Sequence, residues 1–157
     1  FEARGIGETG WDPALQWHIR RAAAWTGRTI ASMRVYDVLR CLRFCRTLKN
    51  IDSTRINLAA QDEMGVVALY AALLDGRCDT VGRLNTPVSK DGASDQEGKG
   101  PAIEMLNCLK VTDVNRIPAM LWPTKIVFRS PIPAAYKLSD AMLRKFENGS
   151  IGELAKK

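Results

Sequence analysis

The chain has 157 residues, of which 46% are hydrophobic and 25% charged, and a formal net charge of +6. That is enough chain for one domain with its own core. No apolar run approaches the roughly 18 residues of a membrane span, which argues against a bilayer crossing. The excess positive charge is dispersed. Its densest group, Arg34, Arg40, Arg43, Arg46 and Lys49, alternates with apolar residues at helical spacing and reads as a solvated helix face. No row of aromatics or nucleic-acid motif accompanies it, so a nucleic-acid partner is not expected.

The chain opens on Phe1, and its first residues lack the basic segment and apolar stretch of a signal peptide. A processed or truncated start would account for this, so the compartment stays open. Residues 1–12 carry Gly5, Gly7 and Gly10 and read as a strand end followed by a loop. Asp12-Pro13 suits helix initiation, and residues 14–25 are expected to be helical, with a break near Gly27. From 28 to 48 the apolar positions Val35, Val38, Leu39, Leu42, Cys45 and Leu48 recur at spacings of three and four, the period of an amphipathic helix.

Turn residues at 50–53 precede a short buried strand at 55–60. Residues 66–74 then form a helix that Gly76 caps. A second strand is expected at 78–85, weakened by Gly82, and residues 86–101 read as a long surface loop, too polar to offset their own ordering entropy. A short helix at 102–109, a third strand at 124–129 and a last amphipathic helix at 134–146, using Leu138, Met142 and Phe146, complete the pattern. The tail from Glu147 is expected to fray. Alternating strands and helices imply a single α/β unit over residues 1–157, with a mostly parallel sheet flanked by helices.

Cys41, Cys45, Cys78 and Cys108 contain no CxxC pair, and the single histidine, His18, lies far from them in sequence. Neither a metal site nor a cofactor is expected. Cys41 and Cys45, one helical turn apart, read as small apolar packing residues. In a parallel sheet, ligands gather outside the carboxyl ends of the strands. The turn after Ala60 is the most informative of these places. A strand that passes straight into a helix lifts one side chain above the sheet and aims the first helical N–H groups at the same point. A glycine two residues further on gives the helix room to approach; Gly65 fits, which puts Glu63 at the apex.

Arg4-Gly5-Ile6-Gly7-Glu8-Thr9 resembles the Arg-Gly-x-Gly loop after the fourth strand of α/β-hydrolases. The long helix, strand, elbow and helix follow in that family's order. Asn85-Thr86-Pro87-Val88-Ser89 and the approach to the strand from Pro118 are similar to bacterial acetyl-xylan-esterase-like hydrolases. The resemblance implies a partial α/β-hydrolase fold, its C-terminal half, with the first strands expected before Phe1. It also implies carboxyl-ester hydrolysis, on an acylated carbohydrate or small ester.

Carried onto this chain, the resemblance makes Glu63 the residue at the nucleophile's place, with Met64, Gly5 and Gly7 bordering the oxyanion region. The departures are substantial. Gln61-Asp62-Glu63-Met64-Gly65 stands where Gly-x-Ser-x-Gly belongs, Arg129-Ser130-Pro131-Ile132-Pro133 has no carboxylate, and no histidine follows a last strand. Carboxylates do attack carbon in related hydrolases with aspartate at the elbow, but Asp62 and Glu63 equally suit the first turn of a helix. His18 reads as a partly buried structural histidine. Gly92-Ala93-Ser94 lacks a preceding strand and reads as chance, and Gly5-Ile6-Gly7 is too short for a dinucleotide fingerprint. The alternative is an inactive binding module on the same scaffold, forming homo-oligomers through a sheet edge exposed near Phe1.

Overall fold

The computed structural model describes residues 1–91, 100–129, 131–146 and 149–153. Two helices come first, α1 (Pro13–Trp25) and α2 (Ile30–Cys45), each started by a side chain that satisfies orphan backbone donors. The Asp12 carboxylate accepts from the Ala14 N–H at 2.7 Å, with Pro13 in the first turn. Thr29 and Ser32 form a reciprocal capping box ahead of α2.

The chain then alternates: β1 (Asn57–Gln61), α3 (Asp62–Asp75), β2 (Thr80–Leu84), a long connection, α4 (Ile117–Met120), β3 (Lys125–Phe128), α5 (Lys137–Leu143) and β4 (Ile151–Glu153). The four strands form one all-parallel sheet in the order β1-β2-β3-β4. The expected α/β class and the three expected strands are present.

Strand periodicity divides the sheet into two unlike faces. Val81, Arg83, Ile126, Phe128 and Ile151 are buried on one face, with Leu58 and Ala60 packed beside them. α3 lies against β1 and β2 and is itself clasped by α2 and α4. Every residue from Gly65 to Ala72 is buried, so α3 is apolar all round, as a helix enclosed by other elements must be. Burying Val66, Val67 and Leu69 contributes about 1.5–3 kcal/mol each. Gly76 ends α3 in the left-handed region, at φ 65°.

The opposite face presents Asn57, Ala59, Gln61 and Lys125 exposed and Thr80, Gly82, Leu84 and Val127 half-buried. Parallel sheets ordinarily have both faces covered; here the described residues leave one open.

Several expectations need correction. The N-terminal residues are not in a strand: Phe1 is exposed, and the free edges of the sheet are β1 and β4. The helix expected at 102–109 is replaced by an irregular path ending in a single 3-10 turn at Cys108–Lys110. Asn107, at φ 61°, lies in the left-handed region that a regular helix excludes, and the Ala102 N–H donates to Glu63.

The last helix is shorter than expected and buries Tyr136, Ser139 and Leu143, while Leu138, Met142 and Phe146 remain exposed. The expected frayed tail contains β4, whose Ile151 packs into the core beside Ile126. Of the expected loop at 86–101, Val88 packs on the core, and the Ser89 hydroxyl and Lys90 N–H both donate to Asp113. Among the described residues no helix is long and apolar enough to cross a membrane.

Candidate functional site at the carboxyl rim

β1 passes into α3 without an intervening loop: Gln61 is the last strand residue and Asp62 the first of the helix. The change of direction falls on Asp62, whose φ of 49° lies in the left-handed region that a non-glycine residue rarely adopts. The apex is therefore one residue earlier than the expected Glu63. Asp62 is exposed on the rim. The helix can turn in so tightly because of Gly65: a Cβ there would stand 1.9 Å from the Thr86 hydroxyl oxygen, just past the end of β2. Asn85, the residue after β2, also has a positive φ, 49°.

Together these turns leave a groove of about 300 Å³ lined by Ala59, Ala60, Gln61, Gly82, Arg83, Leu84 and Arg129. The Arg129 N–H donates to the Arg83 carbonyl at 2.9 Å, tying the end of β3 to β2, and its side chain is exposed. The groove thus offers a primary amide and a guanidinium beside small apolar residues, with Asp62 next in sequence to the lining residue Gln61, which suits binding of a small polar molecule more than proton transfer. A larger cavity, about 460 Å³, is lined by Arg4, Arg28, Ser32, Met33 and Tyr36 and includes no strand residue.

Glu63 points elsewhere. One of its carboxylate oxygens accepts from Arg34 Nη1 at 2.5 Å and the other from the Ala102 N–H at 2.7 Å. Arg34 is wholly buried, and it also donates through Nε to the Arg4 carbonyl and through Nη2 to the Gly5 carbonyl, at 3.0 and 3.2 Å. The reading of Arg34 as solvated is corrected: it is the post to which the Arg4–Gly5 turn and α3 are fastened, and Glu63 in turn ties the segment after Pro101 to α3. Arg46 is likewise no solvated cation, since both terminal nitrogens meet the Asp75 carboxylate at 2.7 Å. Arg40, Arg43 and Lys49 are exposed as expected.

Gly5, at φ 69°, packs its α-carbon where the Trp11 ring would collide with any Cβ, at 2.3 Å. The loop is further held by Arg4, whose guanidinium grips Asp37 at 2.5 and 2.7 Å. Gly7 begins a 3-10 turn, and Met64 is half-buried against the core. The structure brings Gly5 to Glu63 through Arg34 but keeps Met64 in the packing. His18 is exposed and lies edge-on to Trp17 at 5.1 Å, not partly buried. Gly92-Ala93-Ser94 lies outside the described residues. Among the described residues no group of three or more His, Cys, Asp or Glu is arranged to hold a metal ion, and the four cysteines are free thiols.

Compared with models of known families the chain matches none, and no curated protein matches it.

Proposed function

We propose that this chain is part of an α/β-hydrolase-type domain related to the carboxyl-ester hydrolases. In this reading a carboxylate, Asp62, stands where such enzymes carry the nucleophile, and the rim groove binds an acylated carbohydrate or small ester without turning it over. The observation that carries the reading is the abrupt passage from β1 to α3 with a left-handed, exposed residue at the bend. A strained backbone of this kind lifts one side chain clear of the sheet beside helical N–H groups, the geometry a nucleophile elbow needs.

Binding is favoured over turnover because a carboxylate ester intermediate needs a base to activate water. The described groove-lining residues, Gln61 and Arg129 among them, supply amide and guanidinium groups instead. Glu63, fully engaged by Arg34 and Ala102, fastens the fold.

The test is hydrolysis of a short-chain aryl acetate by the parent, Asp62→Ser, Asp62→Ala and Glu63→Ala. Equal, background rates are expected from all four. Catalysis by the parent that disappears in Asp62→Ala would replace the binding role with a carboxylate nucleophile.

A second reading is favoured by the open sheet face and the unpaired edge of β1: the module associates with another polypeptide there, since bare strand edges template pairing.

A further inference from the structure

Arg83 is an unusual member of the core. It stands on the covered face near the carboxyl end of β2, 1% exposed, and none of its three guanidinium nitrogens has a hydrogen-bond partner among the described residues. Its Cζ lies 5.0 Å from the ring centroid of Phe128 and 4.9 Å from that of Tyr136. Cation–π attraction to these rings is smaller than the cost of taking an ion out of water.

A lysine can escape that cost by losing its proton. Lys90, whose enclosed Nζ sits 3.6 Å from the Tyr70 ring centroid without a hydrogen bond, is pushed below the usual lysine range by burial. A guanidinium stays charged at neutral pH, so Arg83 has no such route.

The Tyr136 hydroxyl, on one of the two rings that hold the guanidinium, is also buried; it faces Arg83 closely enough for the guanidinium to oppose the upward push of burial on the phenol, but among the described residues neither group meets a partner at hydrogen-bond geometry. These orphans are donors: five guanidinium N–H groups and a phenol O–H. The nearby carboxylate whose charge acts on Tyr136, Asp113, is already committed to the Ser89 hydroxyl and to the N–H groups of Lys90 and Val114. Among the described residues the pair has no acceptor carrying negative charge.

We propose that Arg83 and Tyr136 form an interior oxyanion site, which takes a small anion of the carboxylate or phosphate class from the carboxyl end of the sheet. The site lies on the covered face, and its occupancy does not depend on the ester-binding reading of the rim. Charge-assisted bonds from a guanidinium fork and a phenol are the strong kind, and an anion bound only to the folded chain stabilises it by mass action.

The probes are inorganic phosphate, sulfate and acetate, each titrated into the full chain at an ionic strength held constant with chloride, with heat and Tm both followed. A saturable one-site isotherm with a rising Tm is expected for at least one oxyanion. Affinity should be about tenfold weaker in Tyr136→Phe, and the response absent in Arg83→Met. Preference for phosphate and sulfate, or for acetate, identifies the ligand class. No saturable response to any of the three in the parent, or an unchanged isotherm in Tyr136→Phe, overturns the proposal. Should Arg83→Met fail to fold, Tyr136→Phe decides alone.

Discussion

At the scale of single residues, buried charge does much of the fastening. Arg34 has its guanidinium on Glu63 and on two backbone carbonyls, so removing one member strands the other. Arg34→Met and Glu63→Gln should each lower unfolding stability by about 3 kcal/mol in urea denaturation, as broken buried pairs do. A loss under 1 kcal/mol in both would mean that the junction is held by other contacts.

Proton linkage gives a second outcome. Burial works against ionisation of Asp75 and Asp113. Hydrogen bonds, from Arg46 to the first and from Ser89, Lys90 and Val114 to the second, outweigh it and hold both below the usual carboxylate range. A folded pKa below the unfolded value near 3.9 leaves the stabilisation intact above roughly pH 5 and removes it as pH falls through the folded value. The urea midpoint should therefore be flat from about pH 5 to 7 and decline below about pH 4, less steeply in Asp75→Asn. Burial, reinforced by Asp75, pushes the Cys78 thiol up to about 11, and burial with Cys45 beside it also raises Cys41, so alkylation of the native chain at pH 8 should spare Cys78, be slow at Cys41, and proceed at the half-buried Cys45 and Cys108.

At the scale of elements, the junction of β1 and α3 makes opposite demands at two neighbouring positions. Asp62 needs the left-handed region, which glycine adopts freely and a β-branched residue resists. Asp62→Gly should fold with stability within about 1 kcal/mol of the parent, and Asp62→Val should lose about 1–2 kcal/mol. Gly65 needs space: in Gly65→Ala the new methyl would meet Thr86, with an expected loss of about 1–3 kcal/mol that Thr86→Gly relieves.

The sequence pattern located this junction but not its register. The glycine two positions past Glu63 suggested the apex, whereas the backbone turns at Asp62, because Glu63 is drawn back by Arg34 and Ala102. A helical period made α2 legible, helix-forming composition with start and stop residues made α1 and α3 so, and short apolar runs between turn residues marked the first three strands. β4 was not, since three residues ending in a polar tail carry no period, and pairing with β3 is what makes them a strand. The helix expected after Pro101 is interrupted by Asn107, which takes a left-handed conformation at φ 61° that its residue type alone does not announce. Arg34 was misread because a cation at helical spacing looks solvated until the loop that it holds, about 30 positions away, is known.

At the scale of the whole molecule, the described residues bury one sheet face and leave the other open, with β1 unpaired among them along one edge. If that surface associates, sedimentation should show reversible oligomers that grow with concentration, and a proline at Ala59, which removes a donor from the edge strand, should weaken them. A monomer at high concentration would remove the second reading.

The rim itself is tested most directly by calorimetric titration of the parent with an acetylated xylo-oligosaccharide and with its deacetylated counterpart. Saturable binding of the acetylated sugar, weakened in Asp62→Ala and accompanied by no acetate release, is the expected result. Identical heats from both sugars, or an isotherm indifferent to Asp62, would contradict it.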